Sequence, residues 1–127
     1  GVVLKEGTDL TIAATGLEVF ESLMAAEMLA EDGINAEVID IHTIKPIDKK
    51  LLAESAARTG SVVTVEEHSV IGGLYGAVCE ALAPEGKCRI YGIGINDRFG
   101  HSGDARALLH EYGLDAEGIY NKIRELF

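Results

Sequence analysis

Basic residues are scarce in this chain: 11 Lys and Arg stand against 21 Asp and Glu, for a formal net charge of −10. That balance repels phosphates and excludes nonspecific binding to nucleic acid or to an anionic membrane. Proline occurs only twice, and with 47% hydrophobic and 25% charged residues the composition excludes a disordered chain. Long hydrophobic runs are missing too. The unbroken apolar stretches are a few residues, too short for a helix that crosses a bilayer, and no basic segment followed by an apolar one opens the chain as a signal peptide would. Cysteine occurs twice, as Cys79 and Cys88, too few for the disulfide framework of a small secreted domain. Both fall in stretches expected to pack in a core, which suits a reducing cytoplasm.

What is present is alternation. Val2–Lys5 and Leu10–Ala14 read as short strands separated by Glu6-Gly7-Thr8-Asp9, a turn composition that predicts a hairpin. Residues Gly16 to Asp32 carry Val19, Phe20, Leu23, Met24, Ala26, Met28 and Leu29 at a period near 3.6, and Gly33 follows where a left-handed stop belongs. Ala36–Ile41 is β-branched and short, a buried strand. Pro46 ends that run, Asp48 is placed to cap a helix over Lys49–Thr59, and Gly60 closes it. Ser61–Glu66 is the strongest strand. Gly72-Gly73 leads into a helix through about Ala83, broken by Pro84-Glu85-Gly86. Cys88–Ile95 is the last strand, and Asp104–Glu111 and Asp115–Phe127 read as closing helices. The 127 residues are one domain's worth, long enough to bury roughly two thirds of the unfolded surface. The expected fold is a single three-layer α/β/α domain over residues 1–127, with a mostly parallel five-stranded sheet and an antiparallel edge strand. Gly1 stands where an initiator methionine would, so a piece of something longer is expected.

In open α/β sheets, ligands gather beyond the carboxyl ends of the strands. Four segments belong there: Thr15–Glu18, His42–Pro46, Glu67–Gly73 and Asn96–Gly103. Glu66, Glu67 and His68 offer carboxylates beside an imidazole, a set suited to acid/base chemistry if burial separates their pKa values. Neighbours in a strand point to opposite faces, however, so at most two of the three converge. The bland alternative is a strand end that docks on a partner or faces water. Gly72, Gly73 and Gly76 could cradle a phosphate at a helix N-terminus. Their spacing is neither G-x-G-x-x-G nor a P-loop, and such glycines also serve simply to let a helix pack closely. The four histidines show no i, i+4 pair and neither cysteine lies in a C-x-x-C, so a metal site is unsupported. His101-Ser102-Gly103 lacks the G-x-S-x-G elbow of a nucleophilic serine. No self-contained active centre assembles.

The loops in order carry a family pattern. Ala14-Thr15-Gly16-Leu17-Glu18-Val19, then Thr43-Ile44-Lys45-Pro46-Ile47-Asp48, then Val65-Glu66-Glu67-His68 with Gly72-Gly73, then Ile93-Gly94-Ile95-Asn96-Asp97-Arg98-Phe99-Gly100 together resemble the C-terminal domain of transketolase and its thiamine diphosphate-dependent relatives. The ending Asp97-Arg98-Phe99-Gly100-His101-Ser102-Gly103, with Leu108-Leu109 and Tyr112-Gly113-Leu114, looks more like the small subunit of split transketolases than like 1-deoxy-D-xylulose-5-phosphate synthase. The α-ketoacid dehydrogenase β chains rank third.

The resemblance implies a parent enzyme that moves a two-carbon ketol unit between sugar phosphates, using thiamine diphosphate and Mg2+, with the cofactor ring as electron sink. It implies that the cofactor lies between a diphosphate-binding and a pyrimidine-binding domain, which supply the catalytic groups. Those domains are the expected partners, in a cytoplasmic homo-oligomer. For this domain it implies no catalytic, cofactor-binding or metal residue, an assembly role, and no activity in isolation. Glu67, His68, Gly72, Gly73, Asn96 and Asp97 are carried forward as candidate interface or anion-site loops. Other readings are the C-terminal domain of the synthase, or an independent phosphate- or nucleotide-binding module.

Overall fold

The computed structural model describes residues 1–42, 44, 46–69, 73–86, 88–95 and 109–127. Five strands, β1 (Val2–Lys5), β2 (Leu10–Ala14), β3 (Ala36–Asp40), β4 (Ser61–Ser69) and β5 (Arg89–Ile95), form one sheet in the order β1-β3-β2-β4-β5. The β3–β2, β2–β4 and β4–β5 pairs are parallel, and β1 pairs with β3 antiparallel. Among the described residues, the helices α1 (Glu18–Glu31), α2 (Lys49–Thr59), α3 (Leu74–Leu82) and α4 (Ala116–Leu126) cover the two faces, and a short 3-10 turn over Ala83–Glu85 follows α3 at Pro84.

Strand alternation divides the core. Leu10, Ile12, Ala14, Val38, Val63 and Val65 face α1 and α4, packing with Ala25, Leu29, Ile119 and Ile123. Ala13, Ile39 and Val62 point the other way, onto Leu52 and Ala56 of α2 and Leu74, Val78 and Leu82 of α3. The sandwich of helix, sheet and helix is the architecture read from the sequence. Asp48 caps α2 by accepting from the Leu51 N–H at 3.2 Å, and Gly60 closes that helix in the left-handed conformation, φ 78°.

The hairpin expectation is wrong. β1 and β2 are not neighbours; β3 lies between them. The link at 6–9 crosses the start of β3, where the Thr8 and Asp9 N–H groups donate to the Asn35 carbonyl and Asp9 accepts from the Asn35 N–H at 2.7 Å. Four turn-forming residues therefore make a crossing, not a reversal. Gly7 makes the crossing possible, since a Cβ there would come within 2.4 Å of the Ala36 backbone.

Helix α1 also departs from its expected face. Phe20 is 60% exposed, whereas Glu18, Glu21, Ser22, Ala25, Ala26 and Leu29 are buried. Apolar residues wrap most of this helix, so the small side chains at Ser22, Ala25 and Ala26 decide which side approaches the sheet closely. The final helix is tied to α1 by the Tyr120 hydroxyl, which donates to Asp32. Cys79 and Cys88 are not joined in a disulfide, and both are half-buried rather than fully in the core. The helix expected over 104–111 falls mostly outside the described residues; 109–111 are helical.

A polar network closes the amino-terminal side of the sheet. Ser55 and Arg58 of α2 both donate to Glu37 Oε1 at 2.6 Å, and Thr11 shares hydrogen bonds with Ser55 and Thr59. Glu37, Thr11 and Ser55 are buried, and each is satisfied by its neighbours.

Candidate functional site

β2 feeds α1 and then β3 on one side, while β4 feeds α3 and then β5 on the other. The side on which the next strand is added thus switches between β2 and β4, and the crevice beyond Ala14 and the end of β4 is the topological switch point where such sheets hold ligands. β4 extends past its expected end to Ser69, and its pairing with β5 slips there: Val65 lies opposite Ile93 but Ser69 lies opposite Ile95. The extra residues fall at Glu66–His68, the kind of bulge that re-aims side chains near a site.

The two adjacent glutamates go separate ways. Glu66, 1% exposed, turns to the α3 side, where its carboxylate accepts from the Leu74 N–H at 2.9 Å and the Tyr75 N–H at 3.0 Å. Those amides are the free donors of the α3 N-terminus, the place that the glycine turn was expected to offer a phosphate. The protein's own carboxylate already occupies it. Glu67 turns toward α1, its Oε1 within 3.1 Å of where a Cβ on Gly16 would lie. The strand therefore does not bring Glu66 and Glu67 together for acid/base work.

Sequence reasoning missed Glu18. It is fully buried at the first turn of α1, and neither carboxyl oxygen has a hydrogen-bond partner. Burial, with the nearby charges of Glu67, Glu21 and Asp115, pushes its pKa up to about 8. Glu21 Oε2 and Ser22 Oγ on the same helix face are likewise buried without partners. The only sequence signal for this was two glutamates interleaved with the small residues of α1.

Among the other candidates, Gly73 precedes α3 and lines an apolar cleft of about 610 Å³ between α3 and residues 44–49, with Ile44, Pro46, Ile47, Gly76 and Ala77. His68 lies in β4, but its side chain, together with Gly72, Asn96 and Asp97, lies outside the described residues. Exposed Leu17 and Phe20 stand at the same carboxyl end of the sheet.

The residues present do not suit a diphosphate cofactor. The α3 amides are taken by Glu66, the switch-point side chains Glu18, Glu21 and Glu67 are acidic, and among the described residues no three His, Cys, Asp or Glu are grouped to hold a metal.

Residues 1–119 match the family profile described as transketolase, C-terminal domain. The chain belongs to that family. It is 52% identical over 126 residues to a Methanocaldococcus jannaschii protein named "Putative transketolase C-terminal section", covering 98% of this chain and 39% of that one. It is 44% identical to the 6-deoxy-6-sulfo-D-fructose transketolase subunit SqwH of Clostridium sp., covering 98% of this chain and 38% of the subunit. A 1-deoxy-D-xylulose-5-phosphate synthase of Syntrophotalea carbinolica is 45% identical over 98% of this chain but only 20% of its own length. Among solved structures, a split gene transketolase described as an inactive beta4 tetramer superposes with a TM-score of 0.91 at 49% identity, over 98% of this chain and 41% of that one. The transketolase C-terminal domain thus spans well under half the length of the curated relatives it matches.

Proposed function

We propose that this chain is the non-catalytic assembly domain of a transketolase, whose whole enzyme transfers a two-carbon ketol unit between sugar phosphates using thiamine diphosphate and Mg2+. The observation that carries the reading is Glu66: its carboxylate fills the anion-binding amides of α3, so the ready-made phosphate cradle at this end of the sheet serves the fold. The relatives' greater length leaves room for the diphosphate- and pyrimidine-binding domains that would hold the cofactor. This domain would keep those neighbours in register, where a small misplacement of reacting groups costs large factors in rate.

The contact surface of this reading is the carboxyl end of the sheet. Its parts are Glu67, His68, Gly72, Gly73, Asn96 and Asp97, the cleft beside α3, and exposed Leu17 and Phe20. Apolar side chains left in water at one end of a domain suit association with companions and with further copies. The cytoplasm is the proposed location.

The independent phosphate- or nucleotide-binding module loses its main support with the α3 amides occupied. The synthase reading keeps one observation, the 45% identity to a protein of that name. The transketolase relatives are favoured because 52%, 44% and 49% identity fall on proteins so described. The test is turnover. Purified chain is incubated with a ketose phosphate donor, an aldose phosphate acceptor, thiamine diphosphate and Mg2+, alone and after assembly with its companion domains. No product is expected alone, and ketol transfer rather than formation of 1-deoxy-D-xylulose 5-phosphate is expected after assembly. Turnover by the chain alone contradicts the assembly role, and synthase product from the assembly moves the parent to that family.

A further inference from the structure

Beside the switch point, between α1 and the start of α4, lies a second cleft of about 260 Å³ lined by Glu21, Met24, Asp115, Ala116 and Glu117. Its charge is of one sign. Asp115 is committed: Oδ1 accepts from the Gly118 N–H at 2.9 Å, capping α4, and Oδ2 lies 2.7 Å from His110 Nδ1. Its capping carboxylate offsets the partial positive charge of the α4 N-terminus. Glu21 is not committed in the same way. It is 93% buried by its 7% exposure, it lines the cleft, and its Oε2 has no hydrogen-bond partner. Behind it on the same helix, one residue after and three residues before, Ser22 Oγ and both Glu18 oxygens are buried and unpartnered as well.

Three buried polar side chains without hydrogen-bond partners on one helix turn are costly in a folded protein, because each gives up water and receives nothing. A donor entering the cleft would meet Glu21, which lines it, and a small shift of that side chain would give its carboxylate a partner. A bare metal ion is a poor candidate, since among the described residues no three carboxylates or imidazoles converge to ligate one. A polyatomic cation carrying several N–H groups fits better. It matches both the charge and the excess of acceptors, and a planar guanidinium can serve two carboxylate oxygens at once. We propose that this cleft is a recognition site for a guanidinium or alkylammonium group, with Glu21 as its first acceptor and Ser22 and Glu18 behind. Nothing in this inference depends on the assembly role proposed above.

Glu18 supplies a signature for such binding. With its pKa near 8, set by burial and by Glu67, Glu21 and Asp115, it holds a proton at neutral pH. A cation seated beside it would favour the carboxylate and expel that proton.

The test is calorimetric titration of the chain at pH 7 with agmatine, a dication, with hexamethonium as a dication lacking N–H donors. Saturable one-site binding of agmatine is expected, with proton release seen as a dependence of the heat on buffer ionisation. Glu21→Gln is expected to weaken it roughly tenfold or more, while Glu31→Gln, exposed elsewhere on α1, leaves it unchanged. Glu117→Gln, at the exposed rim, provides a variant whose folding is not in question and is expected to weaken binding about threefold. No saturation up to ~10 mM, equal binding of hexamethonium, or indifference to both cleft substitutions would overturn the proposal. Repeating the titration on a longer protein that carries this domain identifies the source of the cation. Retained binding assigns a free small molecule, and blocked binding assigns a basic side chain of the neighbouring polypeptide.

Discussion

The carboxylate of Glu66 sits 2.9 Å from the backbone nitrogen of Leu74 and accepts its hydrogen bond, so the last regular turn of β4 caps the helix that follows it. This one contact links strand, turn and helix, and it decides what the glycine turn between them does.

Replacing Glu66 with alanine leaves the buried Leu74 N–H and the part-buried Tyr75 N–H without this partner. The expected loss is about 2–3 kcal/mol in urea unfolding, and Glu66→Gln, which keeps one acceptor, is expected to lose about half as much. Inorganic phosphate should not raise the melting temperature of the unaltered chain, because its amides are already bound. Equal stability of all three proteins would remove Glu66 from this role.

Glu18 predicts a pH dependence of definite sign. Its pKa is about 8 when folded and near 4.5 when exposed in the unfolded chain, so between those values the folded state binds the extra proton. Stability from this group is therefore constant below pH 4.5, falls as pH rises through the window, and levels off above 8. Glu18→Gln should flatten the fall. At pH 8.5 it should be more stable than the original by about 1–2 kcal/mol, with water reaching the site holding the gain below the full linkage value. Parallel pH profiles for the two proteins would contradict the assignment.

Arg58→Ala should expose the cost of the buried carboxylate at Glu37, which then keeps Ser55 as its donor but loses the guanidinium at 2.6 Å. A loss of about 2–3 kcal/mol is expected by chemical denaturation. If the double replacement Glu37→Gln with Arg58→Ala recovered nothing, the pair would not be coupled.

Glycines separate close approach from open space. Gly7→Ala forces a Cβ against the Ala36 backbone and should cost about 2–4 kcal/mol. Gly76→Ala meets nothing within 4 Å and should stabilise the chain by about 0.5–1 kcal/mol through helix propensity. Because Gly76 also lines the cleft beside α3, the same change should weaken association with the companion domains, measured by sedimentation.

The layers and nearly every element were legible because strand and helix periodicities were clean and Asp48 and Gly60 punctuate α2 as local chemistry dictates. The neighbour of β1 was not legible. A four-residue link between two strands reads as a reversal unless one knows that β3 inserts there, and that insertion is set by pairing between distant residues. At the site, alternation along β4 correctly separated Glu66 from Glu67. It did not say that Glu66 would reach the α3 amides, because the bulge at the end of β4 arises from its pairing with β5. Glu18 was invisible for a different reason. Charged residues at the start of a helix usually meet water, and only the small side chains of Ser22, Ala25 and Ala26, read as a packing face, reveal that this one does not.

The assembly reading stands or falls on whether these 127 residues handle the cofactor. Calorimetric titration of thiamine diphosphate with Mg2+ into the purified chain is expected to show only heats of dilution. A saturable isotherm with micromolar affinity would contradict it.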